Sequence, residues 1–205
     1  MCGGECGMGD VKMTLEIGDE FPDMELRAYD PKKDEDVTLK TADYKGKWKI
    51  FFFYPADFTF VCPTELEELA GLYPEFTKEG AEIFSVSTDT VFTHKAWHEH
   101  SDAIKKVQFP MVADPSGELA SMFGVYIHGG NDAGLALRGT FIVDPNGVVK
   151  TIEINDNAIG RSGKELLRKL RAAKFVHEHG DKVCPASWEP GDDTLTPGMD
   201  LVGKI

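Results

Sequence analysis

Apolar positions along the chain fall into short blocks with two different periods. Residues 48–54, WKIFFFY, form a nearly continuous aromatic and β-branched run, the pattern of a strand buried on both faces. This block predicts the centre of a sheet. Residues 83–87 predict a second strand, residues 111–113 a short third one. An extended segment at 21–29, the charged turn PKKDED and a short strand at 37–39 predict a small N-terminal hairpin. The clearest hairpin is 138–154, two alternating strands around Asp144-Pro145-Asn146-Gly147, with Asn-Gly as its turn signal. The helical period appears after residue 62, where Leu66, Leu69, Leu72 and Tyr73 share one side. Pro74 should kink or break the last turn of that helix. Residues 93–106 predict a helix interrupted near His100 and Ser101, and residues 117–123 a short one. Residues 162–178 predict a longer helix with Leu166, Leu170, Ala173 and Val176 in register, stopping at Gly180.

Strands joined through helices should run parallel and the hairpin antiparallel, so the order predicts an α/β fold: a mixed central sheet flanked by helices. With no long linker and no internal repeat, one domain over residues 13–180 is the economical organisation. The glycine-rich residues 1–12 read as a flexible N-terminal arm. Residues 181–205, with three prolines and little periodicity, read as a C-terminal arm.

Composition then narrows the function classes. The 205 residues carry 22 Lys and Arg against 35 Asp and Glu, a net charge of −13, which argues against a nucleic-acid partner. The longest apolar run is too short to span a bilayer. Glu5, Asp10, Glu16 and Asp19 leave no room for the apolar core of a signal peptide. A cytoplasmic protein without a membrane partner is expected. There are four cysteines, Cys2, Cys6, Cys62 and Cys184. They are too few for a secreted disulfide framework, so catalysis, redox chemistry or metal binding stand beside simple burial.

Cys62 has the most informative surroundings. Pro63 suits the first helical position, which makes Cys62 the N-cap and puts Glu65 at the third position of a capping box. A sulfur there faces free backbone N–H groups and the positive end of the helix dipole, both of which favour the reactive thiolate. In the preceding loop Pro55 limits water and backbone freedom, Phe58 and Phe60 offer apolar walls, and Thr59 offers a hydroxyl that donates and accepts. Attack of a sulfur on a peroxide O–O bond needs such a set: a deprotonated sulfur, an aligned substrate and donors for the departing oxygen. Glu65 by itself would disfavour the thiolate, so an arginine must neutralise it, and Arg138 at the start of the hairpin is the preferred candidate. The competing reading is a buried structural cysteine.

FFFYPADFTFVCPTELEELA resembles the active-site signature of the typical two-cysteine peroxiredoxins, with the P-x-x-x-T-x-x-C motif at Pro55, Thr59 and Cys62. The resemblance continues through VSTDTVFTHKAWHEH, RGTFIVDPNG, LRKLRAAKFV, VCPASWEPG and DLVGKI, covers roughly residues 14–205, and is strongest toward the bacterial alkyl hydroperoxide reductase C branch. It implies a thioredoxin fold with Cys62 as the peroxidatic cysteine. Thr59 and Arg138 would bind the peroxide, Pro55 would shield the sulfur, Glu65 would orient the arginines, and Trp97 would pack near the site. Cys184 stands in the place of the resolving cysteine. The family forms antiparallel dimers through the strand matching 148–154, and dimers assemble into decamer rings.

The function so implied is a thiol-dependent peroxidase for hydrogen peroxide and organic hydroperoxides. Its sulfenic acid at Cys62 would be trapped as an intersubunit disulfide with Cys184. No bound cofactor is expected; electrons would come from NAD(P)H through a partner flavoprotein disulfide reductase, the flavin-bearing component of alkyl hydroperoxide reductase systems, or from thioredoxin. A ring-shaped holdase chaperone is an alternative activity. A thioredoxin-like disulfide reductase is another, weakened because Glu65 stands where C-x-x-C needs its second cysteine.

Other signals read as ordinary. Cys2 and Cys6 are two ligands at most, short of a zinc site. His94 and His98 share a helix face without the glutamate of H-E-x-x-H, which reads as a solvated face. Residues 161–174 carry six basic residues and one acid, which also reads as a solvated helix face.

Overall fold

The computed structural model describes residues 14–204. The expected N-terminal arm with Cys2 and Cys6 lies outside the described residues. The 48–54 block forms β3 (Trp48–Phe53), all six residues of it buried. It pairs in parallel with β4 (Ala81–Ser87) on one side. On the other it pairs antiparallel with β6 (Arg138–Val143). β4 continues in parallel to β5 (Met111–Ala113). β1 (Glu25–Asp30) and β2 (Glu35–Lys40) close one edge, and β7 (Val149–Asn155) is the other. The order β2-β1-β5-β4-β3-β6-β7 is a seven-stranded mixed sheet.

The alternation of side chains along β3 builds two cores from one run. Trp48, Ile50 and Phe52 face a layer made by α1 (Cys62–Lys78), α2 (Val91–His100) and α4 (Gly163–Glu178). Phe51 and Phe53 face the opposite layer with Phe84, Phe141 and the short α3 (Glu118–Met122). Rings meet closely there, Phe51 and Phe84 at 5.3 Å and Phe123 and Phe141 at 4.5 Å. Full burial of each such side chain contributes roughly 1.5–3 kcal/mol.

Two local expectations change. α1 runs through Pro74 to Lys78 without a break. Leu69, Tyr73 and Phe76 on that stretch are buried against the sheet, and this packing outweighs the hydrogen bond lost at the proline. Three of the α4 cations, Lys169, Arg171 and Lys174, are not on a solvated face. Arg171 pairs with Glu75 and Glu79, Lys174 with Glu79, and Lys169 with Glu153 of β7, so they clamp α4 to α1 and the sheet edge. Among the described residues no helix is long and apolar enough to cross a membrane.

The C-terminal arm folds back on α4. Val183 and Leu195 exchange two backbone hydrogen bonds, and Trp188 is buried with its ring 4.9 Å from Phe175. Arg168 donates to the Trp188 carbonyl at 3.1 Å.

Candidate active site

β3 hands the chain to the 54–61 loop at the edge of the helical layer. Tyr54 continues the ladder by donating to the Val86 carbonyl at 2.9 Å, and Pro55 behind it is buried. Phe58 holds a left-handed backbone with φ 56°, a conformation that costs a non-glycine residue on the order of 1 kcal/mol and recurs at functional loops. Its ring lies 6.1 Å from Trp97, whereas Phe60 is 92% exposed and walls nothing within this chain. The Thr59 hydroxyl donates to the Ala56 carbonyl at 2.8 Å.

Cys62 is the first residue of α1 and is fully buried. The N-cap is Val61, with no side-chain cap, so the expected capping box does not form. Thr64 donates instead to the Val61 carbonyl at 2.6 Å. Glu65 is turned inward because two buried guanidiniums compete for it. Arg138 Nη1 lies 2.8 Å from Glu65 Oε2 and 3.4 Å from Cys62 Sγ. Arg161 meets the same carboxylate through Nε and Nη2, each at 2.9 Å, and its main-chain N–H donates to Oε1 at 2.7 Å.

Each arginine is itself held in place. Arg138 Nε donates to the Asn157 carbonyl at 2.9 Å. Arg161 Nη1 donates to the Gly139 carbonyl at 2.8 Å and to Thr140 Oγ1 at 3.0 Å, and its guanidinium lies 3.5 Å over the Phe52 ring. Gly139 is required at its position: a Cβ there would come within 2.7 Å of Val125. Burial pushes the Glu65 carboxyl up, but the hydrogen bonds and charge of Arg161, joined by Arg138, outweigh it and hold the carboxyl below its ordinary value. Burial lowers the Arg161 guanidinium, with Glu65 opposing.

The structure thus joins Cys62, Glu65 and Arg138, and keeps Pro55 and Thr59 on the loop that leads to the sulfur. Arg161 is the member that sequence reasoning missed, since it reads there as one of the helix cations. The one available signal was that a carboxylate has two oxygens to satisfy and Arg138 occupies only one. His94 is likewise not on a solvated face: it is fully buried and bonded to Asp57 at 2.7 Å.

Cys184 lies outside this cluster. It is half-buried against α4, its thiol 3.8 Å from the Ala172 carbonyl, in a groove of about 440 Å³ lined by Arg168, Lys169, Val176 and Val183. Burial pushes this thiol up, with Arg168 opposing. Both described cysteines are free.

Comparison with known proteins identifies the family of the chain. The model described as the AhpC/TSA family matches residues 17–152, and the C-terminal domain of 1-Cys peroxiredoxin matches residues 172–200. Alkyl hydroperoxide reductase C of Staphylococcus haemolyticus is 54% identical over 179 residues, 87% of this chain and 93% of the relative. The protein of that name from Staphylococcus aureus is 51% identical, covering 92% and 98%. Among solved structures, Enterococcus faecalis AhpC aligns at 48% identity with a TM-score of 0.77, over 84% of this chain and all of the other. A reduced Plasmodium vivax 2-Cys peroxiredoxin aligns at 29% identity with a TM-score of 0.83, over 90% and 94%. These neighbours share the thioredoxin fold expected for the chain.

Proposed function

The chain belongs to the AhpC/TSA family and is a peroxidase of the peroxiredoxin type; on that premise we propose that Cys62 is its peroxidatic cysteine and Cys184 its resolving cysteine. The observation that carries the assignment is the buried charge count around the sulfur. One carboxylate, Glu65, lies between two guanidiniums, Arg138 and Arg161, which leaves one surplus positive charge in a site of low dielectric. Arg138 delivers that surplus to Cys62 Sγ, and a sulfur anion balances it.

The chemistry follows from this geometry. The Cys62 thiolate attacks the terminal oxygen of a hydroperoxide, the O–O bond breaks, and the leaving oxygen takes a proton to become water or an alcohol. Cys62 becomes a sulfenic acid. Arg138 stabilises charge on the sulfur and on the oxygens in line with it. The Thr59 proton is committed to Ala56, so its oxygen accepts the peroxide O–H and holds the substrate in line. Pro55 keeps bulk water from the pocket. The Cys184 thiol then displaces water from the sulfenic acid to form the Cys62–Cys184 disulfide.

Full burial of Cys62 and the seating of Cys184 on α4 require both ends to open locally before they meet. We assign the second thiol to a second copy of the chain, in a homodimer built on the outer edge of β7 beyond Val149, whose own edge groups bond Gly18 and Asp19, and assembling into a decamer in a reducing cytoplasm. The arm at 181–205 serves that partner copy. Two electrons and two protons from a partner reductase, a flavoprotein disulfide reductase drawing on NAD(P)H or thioredoxin, restore both thiols. The disulfide-reductase and holdase alternatives are not favoured, the first because Glu65 is committed to two arginines. Consumption of hydrogen peroxide and cumene hydroperoxide with each donor tests the reading. Turnover that survives Cys62→Ser contradicts it.

A further inference from the structure

A buried polar cluster under the catalytic loop takes no part in the steps above. Asp57, in the middle of the loop, accepts the Tyr54 hydroxyl at 2.7 Å through Oδ1 and meets His94 Nδ1 at 2.7 Å through Oδ2. His94 reaches it from α2, with Nε2 3.1 Å from the Val112 carbonyl of β5. A carbonyl only accepts, so Nε2 carries a hydrogen. The Nδ1 contact then holds a second proton, because an imidazole lone pair and a carboxylate oxygen facing each other in a buried site would repel. That proton is shared between His94 and Asp57. Burial pushes the Asp57 carboxyl up, with His94 opposing, which fits a proton held between them.

Asp57 is also tied through its main chain. Its N–H donates to Asp89 Oδ2 at 2.8 Å, the same oxygen that receives the Ser87 hydroxyl at 2.8 Å. One residue therefore links the loop to β3, the end of β4, α2 and β5. The adjacent residue is Ala56, whose carbonyl receives the Thr59 hydroxyl. Fixing Asp57 fixes that carbonyl, and the carbonyl fixes which way the Thr59 hydroxyl points.

We propose that Asp57 and His94 are positioning residues for peroxide reduction: the proton they share pins residues 55–59 and, through the Ala56 carbonyl, presents Thr59 Oγ1 as the acceptor for the substrate O–H. The inference rests on the peroxidase reading of the same site. Neither residue touches the sulfur, so their effect is on the substrate's alignment.

The test is the rate of Cys62 oxidation by hydrogen peroxide, followed in stopped flow, beside the rate of Cys62 alkylation by iodoacetamide, which needs no acceptor hydroxyl. Asp57→Ala slows peroxide oxidation by roughly tenfold to a hundredfold and does not slow alkylation. Asp57→Asn restores most of the peroxide rate, because its amide oxygen still accepts from Tyr54 and its amide N–H donates to a neutral His94 Nδ1. In the wild-type protein, nitrogen-15 NMR finds protons on both His94 nitrogens, or one shifted far downfield between Nδ1 and Asp57; in Asp57→Asn the Nδ1 proton is gone. The NMR arm stands even if Asp57→Ala does not fold. Peroxide and alkylation rates that fall in parallel overturn the proposal, as does Asp57→Asn as slow as Asp57→Ala, or wild-type His94 without the shared proton. A wild-type Cys62 that peroxide does not oxidise sinks the peroxidase reading instead.

Discussion

The two cysteines sit in opposite kinds of surroundings. Cys62 is fully buried at the start of a 17-residue helix, beside a carboxylate bonded to two arginines that are themselves fixed by the backbone of β6 and the 155–161 segment. Cys184 is half-buried on an arm held to α4 by a weak thiol contact at Ala172, the Trp188–Phe175 ring contact and the Arg168 hydrogen bond to the Trp188 carbonyl. A nucleophile must be organised before its substrate arrives, and a trap must be free to travel. On the proposed assignment the rigid end carries preorganisation and the loose end carries reach.

The two ends should separate most clearly in single turnover. Cys62→Ser should abolish the first turnover with peroxide and every later one. Cys184→Ser should leave the first turnover unchanged, measured as one sulfenic acid per chain by dimedone labelling, and stop the cycle there. Arg138→Ala should lower the second-order rate of Cys62 oxidation about a hundredfold to a thousandfold, with Cys184 alkylation unaffected.

Glu65→Gln probes the rigid end through stability. Removing a buried partner of two guanidiniums should cost about 3–5 kcal/mol in urea unfolding. Because the folded carboxyl sits below its ordinary value of 4.5, its stabilisation is fully present above that pH and lost as pH falls through the lowered value. An acid limb in the wild-type unfolding profile should therefore be missing in Glu65→Gln. The smallest effect is expected at the loose end: Trp188→Ala should raise hydrogen exchange across residues 181–195 and quicken Cys184 alkylation, leaving exchange in β3 unchanged.

Much of this was legible in local pattern. β3, the 138–155 hairpin and the helix before Gly180 are set by runs, periods and turn residues within a few positions, so the sequence predicts them closely. The loop from Pro55 to Cys62 was legible as a motif. What was hidden depends on partners far along the chain. Arg161 sits 96 residues from Glu65, and nothing in GRSGK distinguishes a buried guanidinium from a surface one. His94 looks like half of a solvated pair because its partner Asp57 lies in a different element. The capping box fails because the helix starts one residue early: Val61 is the N-cap and has no side-chain oxygen, and Glu65, one position too far along, is bonded to Arg138 and Arg161. Pro74 shows packing overriding a local rule in the other direction.

Whether the rigid and loose ends meet is decided by peptide mapping of the peroxide-oxidised, non-reduced protein, with the same samples run on a non-reducing gel. The expected result is one cross-linked peptide pair joining Cys62 to Cys184, in a band of twice the chain mass that disappears in Cys62→Ser and in Cys184→Ser. A double-mass band persisting in both variants, or oxidised Cys62 with no link to Cys184, would contradict the division of labour between the two cysteines.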